Sequence, residues 1–280
     1  IEFMRQQESV ARVSKQTLRG YKAAFDLMLK IIPQVGVKDL TPETMEKFFR
    51  QLNNRERKVG NSKKHTGIKT STVATYRSKL NSFFRWLISR GLLKENPFFG
   101  IEYPNVTYGD RKYLSKNKLE KIFTATISQP TDNLLKRKRD MAMLHTLLYS
   151  GVRKGELLGL RIMDIDFVKR ELFVHWETSK SKKDRVIPIS KELAVVLKDY
   201  IDCRDRYKIK YTTPMLFVST LKDAPLTEHG LKHWVFDLEN RSGVDFHLHE
   251  FRHTFAVNLA NNGCDVAKLK QLLGHNDIRM

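Results

Sequence analysis

The chain has 280 residues, 41% of them hydrophobic and 10% aromatic, which is enough for one or two packed domains. No apolar run approaches the roughly 20 residues needed to span a bilayer, so a soluble, cytoplasmic protein is expected. Fifty-one Lys and Arg against 31 Asp and Glu leave a formal charge of +20, which disfavours basic partners and favours polyanions: DNA, RNA or an anionic membrane surface.

The opening Ile1-Glu2-Phe3-Met4 lacks the basic-then-apolar order of a signal peptide and can be read as a cloning remnant ahead of Met4. Leu18, Tyr21, Phe25, Met28 and Ile32 recur at spacings of three and four, predicting a helix over 16–31. Thr41-Pro42-Glu43 opens a second helix, with Thr41 as N-cap and Pro42 in the first turn; Met45, Phe48, Phe49 and Leu52 form its apolar face. The polar, basic stretch 53–70 reads as a loop. A long helix then carries Val73, Tyr76, Leu80, Phe83, Phe84, Leu87 and Ile88, and Gly91 ends it. Between Arg55 and Arg90 lie Arg57, Lys58, Lys63, Lys64, Lys69, Arg77, Lys79 and Arg85, opposed only by Glu56. Such a one-signed stretch is costly unless solvent or a polyanion neutralises it, so these side chains are candidate contacts to a polyanion, DNA among them.

Pro97 to Gly109 carries linker punctuation, and the boundary falls between about 104 and 112, dividing the chain into 1–108 and 109–280. Ser115 caps the next helix, whose inner face is Leu119, Ile122 and Phe123. A longer helix covers 133–150. The period then changes: Ile165–Val168, Glu171–Trp176 and Arg185–Ile189 read as three short strands. Helices resume from Ser190, Thr227, His249 and Asp265. The predicted fold is mainly α with a small antiparallel sheet (α+β).

Four segments carry chemistry. In Ser150-Gly151-Val152-Arg153-Lys154-Gly155-Glu156-Leu157, a glycine turn delivers Arg153 to a helix start with Glu156 one turn on. Taken alone, that is an ordinary i,i+3 salt bridge. Thr178 to Arg185 is a basic turn between two strands, with Lys180, Lys182 and Lys183 crowded into it. In His247-Leu248-His249-Glu250-Phe251-Arg252-His253, His249, Arg252 and His253 share a helical face, where clustered cations favour an anion. The three histidines can also be read as metal ligands, but no Cys, Asp or second His cluster completes a set, so no metal is expected. Leu272-Leu273-Gly274-His275 ends a helix and presents His275. Cys203 and Cys264 lack CxxC spacing and read as free thiols.

In their order and spacing these segments resemble the catalytic domain of the tyrosine recombinase (phage integrase) family, from about residue 113 onward. The basic helical region before it is similar to that family's SAM-like core-binding domain. The resemblance implies a two-domain clamp on double-stranded DNA and a homotetramer on recombination sites. It further implies strand cleavage and rejoining through a phosphotyrosine, without metal or nucleotide cofactor. It assigns Arg153, Lys180, His249, Arg252 and His275 as catalytic, with Lys180 preferred over Lys182 and Lys183 because it is nearest the first strand's end. Glu156, Asp164 and Asp166 are expected to be structural. The family's nucleophilic tyrosine follows the Leu-Leu-Gly-His segment by about two helical turns. None of the nine tyrosines here (Tyr21, Tyr76, Tyr103, Tyr108, Tyr113, Tyr149, Tyr200, Tyr207 and Tyr211) lies after His275, so a chain truncated before the nucleophile is expected. A non-cleaving DNA-binding regulator on the same fold is the alternative.

Overall fold

Caps and apolar spacing set most of the helices in the computed structural model, which describes residues 2–59, 63–106, 113–177 and 183–274. The chain divides into two compact units, residues 1–109 and 110–280. In the first, α1 (Glu2–Ser9) precedes α2 (Lys15–Ile31), whose N-cap Ser14 accepts from the Thr17 N–H. The sequence reading missed α1 because eight residues are too short to show a helical period. Its anchor is Phe3, buried edge-on against Tyr21, Phe25, Phe83 and Trp86 at 5.1–5.9 Å between centroids, so this stretch is part of the packed unit.

Helix α3 (Pro42–Asn54) starts as predicted, with the Thr41 hydroxyl accepting from the Thr44 N–H. The stretch read as a loop is instead an antiparallel hairpin, β1 (Glu56–Val59) with β2 (Lys63–Thr66), pairing Glu56 with Thr66. Its sequence has no apolar alternation to announce it. Gly67 closes it at φ +71, donating to the Arg55 carbonyl, where a Cβ would strike the Asn53 carbonyl. Helix α4 (Thr70–Ser89) follows. Met28, Met45, Phe48, Leu52, Leu80, Phe84 and Phe98 form this unit's core.

The second unit opens with α5 (Lys116–Ile127), capped by Ser115, and α6 (Leu134–Ser150), capped by Asn133. Helix α6 is buried on several faces (Leu135, Met143, Leu144 and Leu147 are fully buried) and forms the centre around which the unit packs. Short α7 (Lys154–Gly159) leads to an antiparallel sheet in the order β3 (Ile165–Asp166), β4 (Glu171–Val174), β5 (Arg185–Pro188). The first strand is shorter than expected because the Asp166 carboxylate accepts the N–H groups of Val168 and Lys169 and turns the chain. Inward-facing Leu172 and Val174 pack with Ile187. Then come α8 (Lys191–Asp205), α9 (Glu228–Ser242), α10 (Leu248–Asn261) and α11 (Val266–Leu273), with Ser190, Thr227 and Asp265 as caps.

Candidate active site

The site is built where α6 ends. Gly151 takes φ +60, and a Cβ there would collide with the Phe255 ring of α10, so only glycine allows α6 and α10 to meet this closely. The turn sets Arg153 at the start of α7. One turn on, fully buried Glu156 points back: Oε2 accepts the Arg153 backbone N–H at 2.7 Å and Oε1 accepts Arg153 Nη1 at 2.9 Å.

Arg185 of β5 meets the same carboxylate in a two-pronged bond. Its Nη1 donates to Glu156 Oε1 at 3.0 Å and its Nη2 to Oε2 at 2.7 Å, while Nε donates to the Leu272 carbonyl at 2.8 Å. Arg252 of α10, 2% exposed, donates through Nη1 to the Gly151 carbonyl at 2.7 Å and through Nη2 to the Leu273 carbonyl. Two arginines therefore satisfy the last carbonyls of α11, at the partially negative end of that helix.

Burial pushes the Glu156 carboxyl pKa up, but Arg185 and then Arg153 outweigh it, and the result is lowered to about 2. Burial is also the main reason that the Arg252 pKa falls to about 9. The Arg153 and Arg185 charges lower it further, while Glu156 works the other way. Arg252 thus stays cationic at neutral pH, and three arginines are held within reach of one another by a single carboxylate and three main-chain carbonyls.

Of the expected catalytic residues, the structure brings Arg153 and Arg252 together. His249 stands exposed one turn before Arg252, its ring 4.6 Å from that of His253. Lys180 and His275 lie outside the described residues. Asp184 Oδ1 accepts the Trp176 N–H at 2.6 Å. A cleft of about 600 Å3, lined by Phe173, Lys183, Arg185, Lys270 and Gly274 among others, opens beside Arg185. Arg185 was missed as a site residue. The available signal was its place in β5, two residues from Ile187 on the inward face, where a charge needs a buried partner. Asp164 is buried, holds the Arg161 N–H and bonds His175 Nε2 at 2.7 Å. Among the described residues no group of three or more His, Cys, Asp or Glu is arranged to hold a metal.

The expected DNA contacts divide. Arg55, Lys69 and Arg85 are exposed, and Lys79 lies over the Tyr21 ring at 4.5 Å. The side chains of Arg57, Lys58, Lys63 and Lys64 lie outside the described residues. Arg77 is only 9% exposed: its terminal nitrogens donate to the Ile101 and Glu102 carbonyls, and it stacks against Phe98 and Tyr103 at 4.7 and 5.4 Å. That placement fastens the segment leaving this unit and turns Arg77 away from solvent. The outward stripe of α4 carries Ser71, Thr75, Ser78 and Ser89 around Arg85, so hydroxyls outnumber cations on it.

Comparison with known proteins agrees with both halves of the chain. A family model described as "Phage integrase family" matches residues 112–280, and one described as "Phage integrase SAM-like domain" matches residues 2–103. The tyrosine recombinase XerC of Bacillus subtilis (strain 168) is 32% identical over 218 residues, covering 76% of this chain and 69% of that protein. Among solved structures, the Tn1549 transposon integrase in complex with transposon right-end DNA superposes with TM-score 0.75 at 19% identity, covering 98% of this chain and 90% of that one. A lambda integrase dimer bound to a COC′ core site superposes with TM-score 0.73 at 20% identity, covering 99% and 90%.

Proposed function

The chain belongs to the phage integrase family, and on that premise we propose that it is a cytoplasmic site-specific DNA recombinase of the tyrosine type, acting as a tetramer that brings two duplexes together. The observation that carries this reading is the Glu156-centred cluster, which gathers Arg153 and Arg252 from segments a hundred residues apart. Transesterification at a phosphodiester builds negative charge on a five-coordinate phosphorus, and paired guanidinium groups stabilise it by charge-assisted hydrogen bonds. Arg153 and Arg252 supply that stabilisation. His249 takes or shares the proton of an attacking tyrosine, and His275 donates to a non-bridging oxygen. As the phenolic oxygen bonds to phosphorus, the bond to the 5′ oxygen breaks and Lys180 protonates the leaving group. The product is a 3′-phosphotyrosine that keeps the bond energy for rejoining. The exposed cations of the first unit bind the duplex by neutralising phosphates.

The test uses the full-length gene product and a nicked duplex selected by that protein from a randomised pool. A protein–DNA adduct on a denaturing gel supports the recombinase. Tight, selective binding with no adduct supports a non-cleaving regulator.

A further inference from the structure

One arginine outside the expected set ties separate segments of the site together. Arg185 is 7% exposed, and its guanidinium joins three separate segments. It grips both oxygens of Glu156 on α7, it opens β5 five residues after Lys180 in the sequence, and its Nε holds the Leu272 carbonyl just before Gly274. Glu156 consequently receives four hydrogen bonds, two on each oxygen, from Arg153 and Arg185. With those filled, the carboxylate holds the Arg153 side chain by one Nη1 bond, and that side chain remains 20% exposed, open to a ligand.

We propose that Arg185 is a positioning residue of the recombination reaction. It fixes Glu156, and through it the guanidinium of Arg153, while pinning the end of α11 that Arg252 also holds, so the charge-stabilising groups stand at working separations before DNA arrives. The physical reason for arginine is its flat fork: two parallel donors match a carboxylate while the third, Nε, reaches sideways to the carbonyl. A lysine ammonium is a point donor and cannot do both at once. The role is distinct from contact with the phosphate, because the Arg185 side chain is only 4% exposed and its fork is turned onto Glu156. A displacement of about 1 Å in catalytic groups costs on the order of 10²-fold in rate, so loss of this brace should appear in the chemical step.

The inference rests on the recombinase reading, and one experiment separates the two. The full-length wild-type protein is first assayed for adduct formation on the nicked, pool-selected duplex; no adduct there refutes the recombinase reading before any variant is made. Given an adduct, Arg185→Gln and Arg185→Lys are compared with wild type in single turnover at saturating DNA, counting only protein shown to be folded by circular dichroism and competent to bind. The expected result is a rate lower by about 10²-fold for both variants, with the DNA dissociation constant within about 3-fold of wild type. Glu156→Gln combined with Arg185→Gln should be no slower than the slower single variant, since both act through one link. A brace that only stabilises the fold would lower the melting temperature and the competent fraction but leave the rate per competent molecule unchanged; that result overturns the proposal. So do full rescue by lysine and additive losses in the double variant. If Arg185→Gln does not fold, Arg185→Lys, which keeps the charge and most of the volume, carries the same comparison alone.

Discussion

Both units are rich in cations, but, Arg77 apart, the ones singled out above are used in opposite ways. In the second unit Arg153, Arg185 and Arg252 are wholly or largely buried and tied to named acceptors, and Arg139 and Arg204 are likewise buried and donate to main-chain carbonyls. In the first, Arg55, Lys69 and Arg85 stand in solvent. A buried guanidinium has a fixed position and is little screened by salt, so it can act on one atom of a ligand. An exposed one contributes to a field that reaches about 10 Å at moderate ionic strength and acts on the polyanion as a whole. A net charge of +20 predicts affinity for DNA, while the separation into anchored and solvated cations shows where chemistry is expected.

The largest effect that would sharpen this contrast is on Glu156. Glu156→Gln leaves Arg185 and Arg153 without their shared charge in a buried place and should cost about 3–5 kcal/mol in urea unfolding of the second unit. A loss under about 1 kcal/mol would mean that solvent already screens the cluster. Next is Arg153→Ala, which should slow adduct formation by about 10²–10³-fold with little change in duplex affinity. A loss confined to affinity would place Arg153 with the solvated cations. Acid titration comes third. The folded Glu156 pKa of about 2 lies below its ordinary 4.5, so its contribution is fully present above about pH 4.5 and is lost as pH falls toward 2. The size is about 3 kcal/mol, read as the extra acid sensitivity of wild type over Glu156→Gln. The smallest effect belongs to the first unit: Arg85→Ala should reduce the log–log salt slope of DNA binding by about 0.9 and leave the single-turnover rate alone.

The same contrast explains what the sequence reveals. Helix starts are legible because a cap is a local event: Thr41, Ser115, Asn133, Ser190, Thr227 and Asp265 each accept an N–H two or three residues on. Arg153 and Arg252 are legible as candidates because their neighbours Gly151, Glu156, His249 and His253 lie close in sequence. Arg77 is not, since its carbonyl acceptors lie 24 and 25 residues ahead and nothing local tells a burying arginine from a solvated one. Arg185 is hidden for a similar reason. Its acceptors lie 29 residues back and 87 ahead, and a basic turn beside it supplies a simpler explanation for its charge. The β1–β2 hairpin escapes because its sequence has no apolar alternation.

Helix α11 is short, yet its length is constrained at both ends. Asp265 holds the first N–H groups, and Arg185 and Arg252 hold the carbonyls of Leu272 and Leu273. Inserting one residue between them would turn the far end by about 100° and advance it by about 1.5 Å, taking both carbonyls away from both arginines in a single step. Among descendants of this gene α11 should therefore keep its residue count even as its outward side chains change.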